Sequence, residues 1–271
     1  MTPFRLLLSP PADGAWNMAV DEAILLAVGK NESLPTLRLY AWEPACLSLG
    51  HAQSIQDVDV TRLQAWNWGL VRRMTGGRAI LHANELTYSI TIPSQDPLVS
   101  GSILNSYRRI AGALLRGLAH LEIPVEMNPH GAGQNTRHSG AVCFEEPSSY
   151  EITFQGKKLI GSAQKRSKHG VLQHGSLPLW GDIARITDVL DYEDESQRSL
   201  AAERVRTRAT TVEAILGQSI EWNMAARMFV RGFVEELGIT FVEEDLTQAE
   251  RKDAGELVES RYAHPGWTGR V

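Results

Sequence analysis

Cys143 stands in G-A-V-C-F-E-E-P-S-S-Y-E-I, shortly before G-K-K-L-I-G-S-A-Q. A thiolate attacks thioester carbonyls, and a neighbouring cation lowers its pKa and keeps it ready. Lys157 and Lys158 are such cations, and Ile160-Gly161-Ser162-Ala163 follows them with small side chains that leave room for a chain-like ligand. The combination points to acyl transfer. The competing reading is a buried cysteine beside a hairpin tip with solvated lysines. A place in or beside a loop favours reactivity, because reactive groups concentrate there. Residues 155–168 hold Lys157, Lys158, Lys165, Arg166 and Lys168 and no acid, a run able to dock an acidic carrier protein. Cys46 has no such company and reads as a core residue.

A second constellation is Arg72-Arg73-Met74-Thr75-Gly76-Gly77-Arg78-Ala79. Two glycines after a strand let the backbone approach a ligand, and their amides can line a pocket for a carbonyl or phosphate. The flanking arginines offer forked donors to anions. The alternative is a hairpin turn with solvated arginines. His82, three residues before Glu85, is a candidate base or substrate-orienting group, although a lone histidine beside a strand is more often a satisfied structural group. His138, Cys143, His169 and His174 lack the tight ligand pairs of zinc sites, so no metal is expected. The acidic stretch Glu243–Glu259 reads as a solvated face.

Positioning these groups requires a scaffold. Strands are expected at Phe4–Leu8, Leu37–Ala41, Cys46–Leu49, Leu70–Arg73, Ala79–His82, Leu86–Ile92, Tyr150–Phe154, Leu159–Gln164 and Val171–Leu179, the pair around Gln155-Gly156-Lys157-Lys158 forming a hairpin. Helices are expected at Ala15–Val28, Val60–Trp68, Ile103–Leu121, Asp182–Leu190, Thr211–Leu216, Met224–Leu237 and Gln248–Tyr262. The apolar residues of Ala15–Val28 wrap most of its circumference and predict burial. Those of Ile103–Leu121 form one stripe. Asn128–Ser139 reads as a loop and Asp191–Arg208 as charged and irregular. Several strand neighbours are hairpin-like, which favours α+β over regular βαβ alternation. Residues 1–181 are expected to form the core, with 182–271 a helical part packed on the same domain.

The chain has 271 residues, 43% of them hydrophobic, enough for a packed core. A net charge of −5 excludes a nucleic-acid polycation, so any basic site is local. Two cysteines cannot make a disulfide framework. The start, M-T-P-F-R-L-L-L-S-P-P, reads as neither signal peptide nor anchor, and no apolar run is long enough to span a bilayer. A reducing cytoplasm is expected. On residues alone three readings stay open: a cysteine acyltransferase acting between carrier proteins, a nucleotide-dependent ligase whose Gly-Gly loop and Lys158 contact an acyl-adenylate, and a carrier-binding module that leaves Cys143 unexplained.

In R-R-M-T-G-G-R-A-I-L-H, C-F-E-E-P-S-S-Y-E-I-T-F-Q-G-K-K-L-I-G-S-A-Q and L-Q-H-G-S-L-P-L the chain resembles the biotin/lipoate A/B protein ligase family, in particular its octanoyltransferase branch of Gram-positive bacteria. N-M-A-V-D-E-A, W-E-P-A-C-L-S-L-G-H-A-Q and H-P-G-W-T extend the likeness over most of the chain. The resemblance implies an α+β fold with a mixed, largely antiparallel sheet, like biotin protein ligase and class II aminoacyl-tRNA synthetases. It implies transfer of octanoyl from acyl carrier protein to a lipoyl-domain lysine, usually that of the glycine-cleavage H protein, by a monomer without cofactor. Cys143 matches the branch's nucleophile and Lys158 the family's catalytic lysine. Arg73, Thr75, Gly76, Gly77, His82, Gly161, Ser162 and Ala163 match substrate-binding positions. Lipoate ligases carry a third glycine where this chain has Arg78, and lack the cysteine. An amidotransferase branch also uses a cysteine but differs after the Gly pair and lacks the His82-type ending.

Overall fold

The computed structural model describes residues 3–128 and 151–270. In chain order its elements are β1 (Phe4–Leu8), α1 (Gly14–Gly29), β2 (Thr36–Tyr40), β3 (Cys46–Leu49), α2 (Val60–Ala65), β4 (Gly69–Arg72), β5 (Ile80–His82), β6 (Glu85–Ile92), α3 (Ile103–His120) and β7 (Glu126–Asn128). After residue 150 follow β8 (Glu151–Phe154), β9 (Lys157–Ser167), β10 (Gly170–Pro178), α4 (Glu195–Arg208), α5 (Val212–Leu216), α6 (Trp222–Leu237), β11 (Phe241–Glu243), α7 (Gln248–Leu257) and α8 (Pro265–Thr268).

Eight strands form one mixed sheet in the order β11-β1-β2-β6-β10-β9-β8-β7. β1 runs parallel to β2 and β11, and the other pairings are antiparallel. The central strands β2, β6 and β10 are buried at every position, so neither of their faces can be polar without a partner. A smaller sheet, β4-β3-β5, lies beside it. The chain is therefore α+β with a mixed sheet flanked by helices.

One face of the large sheet carries α3 and α6, whose Leu114, Leu118, Phe229 and Phe233 meet Leu86, Tyr88 and Ile90 in the main core. Each such side chain contributes roughly 1.5–3 kcal/mol on burial. The two helices touch at glycine. A Cβ on Gly232 would lie 2.4 Å from the Gly117 nitrogen, so only a bare backbone permits the crossing. The other face carries α1, capped by Asp13, whose carboxylate accepts from the Trp16 amide at 2.8 Å. α1 is buried around most of its circumference, with Met18, Ala19, Val20, Ala23 and Ile24 packed under β1, β2 and α7.

Several local expectations need correction. Asp191–Arg208 is not irregular: Glu195–Arg208 is a helix whose Asp194 cap accepts from the Gln197 amide. Residues Ile183–Val189 form a 3₁₀ helix, and the helix at Val60 stops at Ala65, just before Asn67 turns to a φ of 53°. The β8–β9 hairpin turns on Gln155 and Gly156 alone, both at positive φ as a tight primed turn requires. Lys157 and Lys158 thus sit in β9 instead of at the tip. β7 and β11 were not expected. Among the described residues no helix is long and apolar enough to cross a membrane.

Candidate active site

β4 and β5 project the Gly-Gly loop toward the β9–β10 hairpin, and α1 and β2 close the space behind. The result is a pocket enclosing about 410 Å³ of empty space, its mouth included. Arg73, Gly76, Gly77 and His82 line it from the small sheet. Gly161, Ser162 and Ala163 line it from β9. These residues, far apart in sequence, are brought together. Sequence reasoning did not name the rest of the wall as pocket residues: Met18 from α1, Tyr40 and Trp42 from the end of β2, Ile80 from β5, Thr87 from β6, and His174, Gly175 and Ser176 from β10.

Arg72 and Arg73 turn their guanidinium groups onto backbone acceptors. Arg72 is fully buried and donates to the carbonyls of Gly50, Gln53, Trp267 and Thr268. Arg73 donates to Ser48 O at 2.7 Å and Oγ at 2.6 Å, and to the carbonyls of Gly76 and Arg78 at 3.1 and 3.0 Å. A guanidinium fork turned onto its own loop fixes the path of the glycines. Gly50 sets their depth, because a Cβ there would lie 1.8 Å from Gly77 O, whereas one on Gly76 meets nothing within 4 Å. Gly50→Ala is therefore expected to destabilise the fold by about 1–3 kcal/mol. Gly76→Ala should stay near wild type. Urea denaturation of the two variants checks the contrast.

His82 stacks on Trp42 at 4.0 Å with 9° between the rings. Its Nδ1 lies 2.7 Å from Glu85 Oε1 and its Nε2 2.7 Å from Ser48 Oγ. The Glu85 carboxylate only accepts, so Nδ1 carries a proton, while Ser48 Oγ, which accepts from Arg73, holds Nε2. Ser176 and Thr87 also donate to Glu85, and Trp42 Nε1 donates to Thr87 at 2.8 Å. Both nitrogens of His82 are engaged. It shapes and stiffens the pocket wall and holds Trp42 flat.

A parallel chain crosses the other side. Asp21 on α1 accepts from Arg38, Ser89 and Tyr40 and faces His174 Nδ1 at 3.4 Å. His174 Nε2 lies 2.7 Å from Thr75 Oγ1, which ties the Gly-Gly loop to β10. Burial drives the Asp21 pKa up, but the His174 hydrogen bond and the Arg38 charge outweigh it and leave it lowered. For His174 burial prevails over Asp21 and lowers the pKa. Below a pH of about 6.5 the unfolded chain takes a proton at this position that the folded chain refuses, so stability falls as pH drops toward the folded pKa. His174→Gln should remove up to about 1.4 kcal/mol per pH unit of that slope. Thermal or urea unfolding from pH 7.5 to 5 measures it, and an unchanged slope contradicts the assignment. The Asp21 window lies below its usual value near 3.8 and does not overlap.

The two lysines separate. Lys157 is exposed and donates to Arg206 O at 3.0 Å. Lys158 is 4% exposed, and its Nζ donates to Glu151 Oε1 at 2.6 Å. Opposite β8 the register steps from Ile152↔Ile160 to Thr153↔Lys158, one residue on β8 against two on β9. Such a bulge breaks strict alternation and re-aims the side chains at it. Lys158 lies three residues before Gly161, about 10 Å along the strand, beyond the pocket lining. In the basic run, Lys168 is exposed, but Arg166 turns inward to Gly101 O, Ser102 O and Ser106 Oγ. Cys143, His138 and residues 129–139 lie outside the described residues.

Residues 13–234 match the model of the lipoyl protein ligase A/B catalytic domain. The chain is 40% identical over 268 residues to "Octanoyltransferase LipM" of Moorella thermoacetica, covering 98% of each chain. It is 38% identical over 260 residues to "Octanoyltransferase LipM" of Clostridioides difficile, covering 96% of each. Among solved structures it resembles an archaeal lipoylation system, a bi-partite lipoate protein ligase and its E2 lipoyl domain from Thermoplasma acidophilum. That likeness has a TM-score of 0.82 and 25% identity, covering 100% of this chain and 98% of the other.

Proposed function

Because the chain belongs to the lipoyl protein ligase A/B catalytic-domain family, we propose that it is an octanoyltransferase that carries the octanoyl group on Cys143 as a thioester, from acyl carrier protein to a lipoyl-domain lysine such as that of the glycine-cleavage H protein. The near-full-length similarity to octanoyltransferases supports the reaction class, and the archaeal lipoylation system supports a lipoyl domain as acceptor. The observation that carries the reading is the pocket walled by Gly161, Ser162 and Ala163 on the strand that also bears the buried Lys158. Small side chains leave an apolar slot for an acyl chain, and a cation waits three residues away.

The chemistry then runs in two displacements. The Cys143 thiolate adds to the thioester carbonyl, the bond to the carrier sulfur breaks, and the carrier leaves as a thiol. The acceptor lysine adds as a neutral amine to the Cys143 thioester, loses a proton to solvent, and expels the thiolate. An exposed lysine has a pKa near ~10.4, so the second displacement speeds up with rising pH. The Lys158 ammonium stabilises the thiolate and each oxyanion. Arg73, Gly76, Gly77 and His82 form the wall facing Gly161–Ala163, and Thr75 ties that loop to His174 behind it. Exchanging a thioester for an amide is downhill and needs no nucleotide.

Incubation with octanoyl carrier protein in the absence of ATP, followed by intact mass measurement, tests this. A hydroxylamine-labile octanoyl adduct that disappears in Cys143→Ser is the expected result. No adduct, together with lipoate-dependent ATP–pyrophosphate exchange, makes the protein a ligase instead. Loading from octanoylated H protein and not from the carrier makes it an amidotransferase.

A further inference from the structure

The H-P-G-W-T motif near residue 264 takes no part in the chemistry above, yet it is fastened to the pocket loop. We propose that Trp267 and Thr268, acting through Arg72, are positioning residues for the substrate loop Thr75–Gly77; its kinetic consequence rests on the transferase reading, its structural part does not.

Arg72 is the joint. It is fully buried, and a guanidinium keeps its charge at any working pH. Among the described residues no carboxylate pairs with it; carbonyl dipoles satisfy it instead. On one side it donates to Trp267 O at 3.1 Å and to Thr268 O at 3.0 and 2.6 Å. On the other it donates to Gly50 O at 2.9 Å, His51 O at 3.4 Å and Gln53 O at 2.6 Å. Losing either set leaves a buried charge short of acceptors, a costly state that the chain resists.

Trp267 completes the grip. Its Nε1 donates back to Arg72 O at 2.9 Å. Arg270 lies over its ring at 3.8 Å and Arg261 at 4.9 Å, while His51 meets it edge-on at 5.9 Å. Arg270 also donates to His51 O at 2.9 Å. From the 50–53 turn the linkage continues to the pocket. The His51 amide donates to Thr75 O at 2.8 Å, the Arg73 amide to Leu49 O at 2.9 Å, and Gly50 packs directly under Gly77. Thr75 then reaches His174 in the pocket wall. A segment nearly two hundred residues away in sequence thus fixes where the glycines stand.

The test uses the full chain with Trp267→Ala and Trp267→Phe. Amide hydrogen exchange read by mass spectrometry should accelerate about tenfold or more in peptides covering residues 50–53 and 73–78 of Trp267→Ala, with β2 and β6 at wild-type rates. KM for the octanoyl donor should rise about tenfold with kcat changed less, and Trp267→Phe, which keeps the clasped ring, should recover most of the loss. Unchanged exchange at 73–78, or a uniform rise over the whole chain, overturns the proposal. If Trp267→Ala does not fold, Trp267→Phe gives the same comparison with a smaller shift. If the wild type loads no octanoyl, the transferase reading fails, and the exchange pattern still decides the coupling.

Discussion

Cys143→Ser is expected to lose octanoyl loading entirely and to transfer octanoyl on the order of 10³-fold more slowly or worse. A serine hydroxyl is not ionised near neutrality, and nothing in the proposed site is assigned to deprotonate it. The measurement is single-turnover formation of octanoylated acceptor, followed by mass. Transfer retained within tenfold would mean that the acceptor amine attacks the carrier thioester directly. Cys46→Ala is the matching control. Cys46 is 1% exposed, and a Cβ on Gly14 would lie 2.5 Å from its sulfur. Burial, reinforced by Asp13 and Glu85, pushes that thiol far above the usual range, so it stays protonated and inert. Loading should survive in Cys46→Ala, with a stability loss as the only effect.

Lys158→Met should lower kcat by about 10²–10³-fold with little change in KM for the octanoyl donor. In the proposed mechanism the ammonium acts on charge that develops during the displacement, while the acyl chain would be held by the pocket three residues further along β9. Lys158→Arg should recover only part of the rate, because the planar fork cannot occupy the place of a compact ammonium at 2.6 Å from Glu151. Steady-state kinetics with separate kcat and KM decides the matter. A pure KM effect would move Lys158 from charge stabilisation to binding.

What the sequence disclosed follows the range of the forces involved. α1 is legible because Met18, Ala19, Ala23 and Ile24 leave no polar face, and Asp21 is an unused signal: a carboxylate buried on such a helix must have partners. α4 was missed for a definite reason. Its buried residues are Arg198, Ala201 and Val205, a seam one side chain wide with an arginine in it, so no apolar stripe exists to detect. Asp194 before the helix and Arg206 and Arg208 in its last turn were the available cues. The Gly-Gly loop and the Gly161–Ala163 strand, which line one pocket, could be singled out because local composition marks them. That Arg72 and Arg73 turn inward could not be read, since their acceptors are carbonyls as distant as Thr268. The Trp42–Thr87–Glu85–His82–Ser48 chain likewise draws on four strands or their ends and has no signature within any one of them.

The parallel pairing of β1 with β11 joins Phe4 to Phe241, and Arg5 reaches Glu250 in a bidentate ion pair. Ribosomal synthesis releases Phe4–Leu8 more than two hundred residues before its β11 neighbour. Throughout that interval one side of β1 offers unpaired amides and carbonyls beside an apolar strand, the kind of template on which nascent chains aggregate. Loop-closure entropy makes so distant a contact a late event in refolding as well. The nascent protein therefore passes through a vulnerable period whose length is set by elongation, and shielding of β1 by a chaperone would matter more for yield than any gain in native stability.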